Sequence, residues 1–205
     1  MLKDFIPSVD TFINVEYKRY NLNDSREITI HPVLKEEEPQ LSSFCKSVTG
    51  EANGLIQGAP TPHEIGQVFR FPEYFISLVT EHDDKIIGYG EIKKSPCKKN
   101  GELRIFLSKE YQGVGLGTSM MIMLLREATF QGLQKINLKV AAVNLPAVHL
   151  FRKFGFQVDE VTTGISVDGR RFETLYMHRL LNKETPPPCT QCSQALVEEC
   201  FLTHQ

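Results

Sequence analysis

The segment Gln112-Gly113-Val114-Gly115-Leu116-Gly117-Thr118 sets three glycines at alternate positions between an apolar run ending at Leu107 and a helical pattern beginning at Leu116. Glycines let the backbone turn tightly and bring several N–H groups toward one point, where a helix N-terminus adds partial positive charge. The chemistry that follows is anion binding, suited to a pyrophosphate. Two common phosphate loops do not fit. A P-loop requires Gly-Lys-Ser/Thr after four intervening residues, and no lysine follows here. A dinucleotide fingerprint starting at Gly113 requires glycine at 118, where Thr118 stands, and an acid about 20 residues on, which is absent. A purely structural tight turn stays open on these residues alone.

A second block, Asn144-Leu145-Pro146-Ala147-Val148-His149-Leu150-Phe151-Arg152-Lys153-Phe154-Gly155-Phe156, lies beyond one predicted helix and one strand. Gln112-x-x-Gly115-x-Gly117 resembles the acetyl-CoA signature of the GNAT superfamily of N-acetyltransferases. The second block is similar to that family's Asn-x-x-Ala-x-x-Leu-Tyr-x-Lys-x-Gly-Phe, and Asp168-Gly169 with Tyr176-Met177-x-Arg179-Leu180 fits its last hairpin. The resemblance covers roughly residues 26 to 181 and is strongest from 86 to 180.

The resemblance implies a mixed, mostly antiparallel α/β (α+β) sheet whose central strands, at 103–107 and 135–140, splay apart. Acetyl-CoA is then the co-substrate and no metal is expected. Pantetheine would pair with backbone at Ile105, Phe106 and Leu107, and the pyrophosphate would rest on Gln112, Gly113, Val114, Gly115, Leu116, Gly117 and Thr118. Asn144 would meet the pantetheine amides and Phe151 would lie beside the sulfur. Holding a thioester beside an amine can supply about 7 to 11 kcal/mol of the barrier, and a backbone N–H toward the thioester oxygen adds oxyanion stabilisation.

The sequence departs from the family where protons are handled. Phe151 stands where a tyrosine acid is frequent, and Lys139 where some protein N-terminal acetyltransferases carry a glutamate. Glu91 and Glu102, on adjacent hairpin strands, are the acids left to reach the acceptor side, although each also reads as an exposed strand residue. Tyr89, Tyr111 and Tyr176 are further acids without positional support. A lysine amine of pKa near 10.4 costs roughly 4.6 kcal/mol to deprotonate at pH 7, whereas an α-amine costs about 1. General acid–base help is worth about 10²- to 10⁴-fold, so a site poor in proton groups leans toward a low-pKa amine or passes protons through water. The expected activity is acetyl transfer to a primary amine, on a small molecule or a protein N-terminus, by direct attack in a ternary complex. The alternative is a degenerate fold that holds CoA as a sensor or scaffold.

Positioning these residues requires particular elements. The alternation in 26–33 predicts a strand, and Leu41, Phe44, Cys45 and Val48 predict one face of a helix behind the acidic cluster Glu36 to Glu38. Thr61-Pro62-His63-Glu64 is a capping box for a helix toward Phe69, after a Gly-rich loop from 50 to 60. Strands at 75–79, 86–92 and 103–107 form hairpins, the second across a lysine-rich turn at 93–101. Leu116, Met120, Met123, Leu124 and Ala128 mark a core-facing helix face, with Arg126, Glu127 and Gln131 elsewhere, stopped at Gly132. A strand at 135–140, a short helix at 146–154 and strands at 156–161 and 172–180 complete the pattern. His149 reads as a solvated residue of that short helix. Hairpins followed by alternating helices and strands give a mixed sheet with helices on both faces.

The whole chain has 205 residues, 23 Lys+Arg against 25 Asp+Glu, and a formal net charge of -2. That balance argues against nucleic-acid or membrane-surface binding, since each phosphate contact needs a basic side chain. No apolar run approaches the ~20 residues of a membrane span, and the first residues do not read as a signal peptide. Cys45, Cys97, Cys189, Cys192 and Cys200 then read as reduced thiols of a cytoplasmic protein. Cys189-x-x-Cys192 lacks a second pair at zinc spacing. The expected organisation is an N-terminal extension over 1–25, the acetyltransferase-like domain over 26–181 and a Pro- and Cys-containing tail over 182–205, in a monomer or homodimer.

Overall fold

A computed structural model describes residues 18–51, 60–165 and 171–181. Residues 52–59 of the Gly-rich loop, the Asp168 turn and the tail cysteines fall outside the described residues, and Gly50, read as loop, belongs to the last turn of a helix. The strands are β1 (Lys18–Asn21), β2 (Glu27–Pro32), β3 (Phe75–His82), β4 (Lys85–Lys94), β5 (Asn100–Leu107), β6 (Lys135–Ala141), β7 (Gln157–Ile165) and β8 (Arg171–Leu180). The helices are α1 (Glu38–Glu51), α2 (Pro62–Arg70), α3 (Leu116–Phe130) and α4 (Leu145–Lys153). The strands form one sheet in the order β1-β2-β3-β4-β5-β6-β8-β7. Every pairing is antiparallel except β5 with β6.

Local signals explain most of these elements. Thr61 Oγ1 accepts the Glu64 N–H at 3.3 Å while the Glu64 carboxylate accepts the Thr61 N–H at 2.8 Å, closing the predicted box at the start of α2. Side chains alternate along β4 and β5, so Tyr89 and Phe106 join Leu41, Phe44, Cys45, Val48 and Ile65 under α1 and α2. Ile92 and Leu103 belong to the larger core with Met120, Leu124 and Phe154, on the α3 and α4 side. A Cβ at Gly90 would come within 2.8 Å of Leu124 Cδ1, so glycine in β4 lets α3 lie close to the sheet.

Two elements differ from expectation. β1 lies inside the segment read as an extension, because four residues are too short to show a period. Its Tyr20 is nonetheless buried and its hydroxyl donates to Met123 Sδ. Helix α3 is buried on far more than one face: Met121, Ile122, Leu125 and Glu127 are also inside, since the sheet is not its only neighbour and Tyr20, Leu22, Val148 and Phe151 share its core. Among the acids before α1, Glu37 is buried and does more than favour a helix start. It accepts the Leu34 N–H at 2.6 Å and stands 3.5 Å from His31 Nε2, which is 3.4 Å from Glu81.

Among the described residues, no helix is long and apolar enough to cross a membrane.

Candidate active site

The parallel pairing of β5 with β6 lasts three residues, Asn100↔Lys135, Gly101↔Ile136 and Glu102↔Asn137. Beyond Glu102 the two strands part, while β5 keeps its ladder with β4 as far as Gly88↔Leu107 and β6 keeps its ladder with β8 as far as Ala141↔Thr174. A wedge therefore opens in the middle of the sheet, with the part of β5 that β6 no longer pairs along one wall. A cavity of ≈ 760 Å³ occupies it, lined by Leu103 to Leu107 on one side and Lys139 to Ala141 on the other.

At one end of the cavity lies the glycine loop. Gly113 and Gly115 have φ of 77° and 98°, the left-handed region that side chains rarely adopt, and Gly115 is the N-cap of α3. The first donations of the helix, from Thr118 and Ser119, both go to the Gly115 carbonyl. The N–H groups ahead of them have no partner within α3, as at any helix start. Thr118 thus lines the cavity with its own N–H already engaged. Nothing lies within 4 Å of where a Cβ of Gly113 would project, whereas a Cβ at Gly117 would come within 3.2 Å of Leu150. The loop is braced from outside: the Asn23 N–H donates to the Val114 carbonyl and Gln112 Nε2 to the Leu107 carbonyl.

The opposite wall comes from α4. Asn144 caps it, with Oδ1 accepting the Ala147 N–H at 3.3 Å, and Pro146, Ala147, Leu150 and Phe151 follow into the cavity lining. Phe151 is 8% exposed and meets Phe156 edge-on, with ring centroids 5.9 Å apart. Thus Gln112, Gly113, Gly115, Gly117, Thr118, Asn144 and Phe151 converge on one cavity with Ile105, Phe106 and Leu107. Val114 and Leu116 do not line it.

The far rim is charged, and here Glu91 and Glu102 part company. Glu102 lines the cavity beside Lys139, at 3.4 Å, and the Lys139 ammonium stands 5.7 Å from the Tyr176 ring centroid. Glu91 is not an exposed strand residue: it is 1% exposed and does not line the cavity. Its carboxylate accepts the Tyr89 hydroxyl at 2.5 Å and Arg104 Nε at 2.6 Å, and Arg104 Nη2 adds a third contact. Arg104 also reaches Glu64 on α2 at 3.3 Å. Burial and the adjacent Glu91 charge push the Tyr89 phenol well above its ordinary value. Partial desolvation acts to raise Glu64, but the Thr61 hydrogen bonds and the Arg104 charge outweigh it and hold Glu64 below the usual glutamate value. Burial is the largest influence on Cys45, beside this group, whose thiol is pushed up to about 12.

Of the three candidate tyrosines, Tyr89 is buried behind the rim, Tyr111 lies 4.0 Å beneath the Arg26 guanidinium, and Tyr176 approaches the site through Lys139. His149 is exposed. Asn23, Glu64, Lys93 and Arg104, none of them a site candidate from sequence, also line the cavity. Arg104 had a signal: a charge inside the apolar run Leu103-Arg104-Ile105-Phe106, directly opposite Glu91 in the hairpin register.

Comparison with known proteins bears on this geometry. A sequence model of the Acetyltransferase (GNAT) family matches residues 37–156, more than half of the chain. Mycothiol acetyltransferase of Corynebacterium glutamicum (strain R) is 31% identical over 106 residues, which is 51% of this chain and 36% of that protein. The chain therefore spans about a third of that relative's length. Among solved structures, a GNAT-family acetyltransferase from Streptococcus pneumoniae superposes with a TM-score of 0.68 at 23% identity, over 76% of this chain and 99% of that one. Spermidine N-acetyltransferase from Vibrio cholerae, solved with CoA and spermine, superposes with a TM-score of 0.60 at 21% identity, over 75% and 95%. At these identities the structures speak for a shared fold.

Proposed function

The chain belongs to the GNAT family of acetyltransferases, and from that premise we propose that it transfers an acetyl group from acetyl-CoA to a primary amine by direct attack in a ternary complex. The observation that carries this reading is the wedge between β5 and β6, which joins a helix-start anion site to a charged rim through the sheet. The residues present fit the co-substrate. Gly113 leaves open space where its side chain would stand, so a phosphate can approach the backbone, and the N–H groups there need no lysine.

In this reading the loop from Gly113 to Gly117 holds the pyrophosphate, and the edge of β5 at Ile105 to Leu107, from which β6 has parted, pairs with the pantetheine. Asn144 sits within reach of the same arm, and Phe151 offers an apolar wall for the sulfur. Bound acetyl-CoA supplies an activated thioester. The chain's own part is to hold that group and an amine together, which is where most of the rate arises. Glu102 takes the amine proton through water, and Lys139, 3.4 Å away, holds the Glu102 carboxylate in place at the rim. Glu91 acts from behind, holding Arg104 and through it α2.

The test is acetyl-CoA-dependent CoA release across a panel of small amines and peptide N-termini, paired with calorimetric titration of CoA. Turnover on at least one amine together with CoA binding is expected. Tight CoA binding without turnover on any acceptor would favour the sensor or scaffold reading, which Phe151 and Lys139 in place of proton-handling residues make a specific alternative.

A further inference from the structure

We propose that the acceptor presents a single amine and carries no second cationic group; this rests on the acetyltransferase reading above. The rim on the α1 and α2 side of the wedge presents the carboxylates Glu64 and Glu102 and the cations Lys93, Arg104 and Lys139, with Glu91 buried directly behind Arg104. Each carboxylate faces a cation. Glu91 and Arg104 are opposed in the β4–β5 register and bonded, and the same guanidinium reaches Glu64 at 3.3 Å. Glu102 is opposed to Lys93 in that register and stands 3.4 Å from Lys139. Directly opposed residues project to the same face of a sheet, so Glu102 sits between two lysines.

An acceptor that brings a second ammonium must therefore displace Lys139 or Arg104 from its carboxylate, or lie beside a like charge. Both are unfavourable where the walls are partly desolvated. The distal ammonium of a diamine cannot escape by deprotonating, since its pKa lies about three units above neutrality. An acceptor with a carboxylate remote from its amine meets Lys93 and Lys139 instead, and is favoured.

Three probes of one length isolate the charge: hexylamine, 1,6-diaminohexane and 6-aminohexanoate, each titrated calorimetrically into the full chain saturated with CoA, and each assayed for acetyl transfer from acetyl-CoA. The diamine is expected to bind and react at least roughly threefold less well than hexylamine, a difference typical of one disrupted partly exposed ion pair, despite its two equivalent ends. A diamine that equals or exceeds hexylamine overturns the proposal, as does failure of all three to bind. Binding in the expected order without transfer would instead overturn the acetyltransferase reading and leave the charge preference supported. Lys139→Gln releases Glu102 from one of its lysines, and the half-exposed position makes misfolding no obstacle. It should raise the diamine-to-hexylamine ratio by roughly two- to fivefold. The ratio cancels any general loss of rate, and an unchanged ratio counts against the proposal.

Discussion

At the scale of single residues, Phe151 and Gly115 make opposite demands. Phe151 lines the cavity and packs on Phe156, contributing shape and no proton. Phe151→Tyr should therefore fold, bind CoA and retain at least wild-type turnover, because the added hydroxyl can only supply an acid the site lacks. Complete loss of turnover in a folded, CoA-binding variant would contradict the placement of Phe151 beside the sulfur. Gly115 is needed for its backbone. At φ 98° an alanine is strained by about 1 to 2 kcal/mol, although its Cβ would meet Asn23 at 3.5 Å in ordinary contact. Gly115→Ala should lower the thermal midpoint and weaken CoA binding together; unchanged CoA affinity in calorimetry would remove this loop from the pyrophosphate site.

Among the elements, α3 carries the most unexpected residue. Glu127 is buried inside the helix that the glycine loop starts, and accepts Gln131 Nε2 at 2.6 Å. Burial raises its pKa above the ordinary 4.5, with Gln131 and the charges of Lys94 and Arg126 opposing. The folded state thus binds this proton more tightly than the unfolded chain does. Its contribution favours folding at low pH and is lost as pH rises from 4.5 through the raised value. Glu127→Gln should remove that dependence, so that denaturant midpoints show the variant gaining on the wild type between pH 4 and pH 7. A constant difference across that range would refute the assignment. The short polar turns were readable in advance because each rests on contacts within a few residues, as the Thr61 box and the Gly132 stop show. The burial of Glu127 was not readable, since the groups around it come from α3 itself, from Lys94 at the end of β4 and from the surrounding core at once.

For the molecule as a whole, the sheet and the site share an edge that sequence reading assigned to an extension. Tyr20 and Leu22 are buried, and the Asn23 N–H braces the glycine loop at Val114. A chain beginning at Arg26 should be less stable than one beginning at Lys18 by on the order of 3 kcal/mol from those two side chains, and should bind CoA more weakly. Thermal melts and CoA titrations on the two truncations check this, and equal behaviour would return residues 18–25 to the role of a dispensable extension.

Sequence alone was enough for the family and for two runs of residues that the fold brings to one cavity. Gln112 to Thr118 and Asn144 to Phe156 are contiguous runs whose chemistry belongs to the local backbone: turning glycines, a helix start, a cap. What tertiary structure decided is the acceptor side. Whether Glu91 is a solvated base or a buried anchor depends on Arg104, thirteen positions away, and on the helix α2 that Glu64 brings over both. Whether Glu102 is free depends on Lys139, from a strand that joins β5 for three residues and then leaves it. Charges pair across strands and helices, so their availability is a property of the packed sheet and cannot be read from any one run of residues.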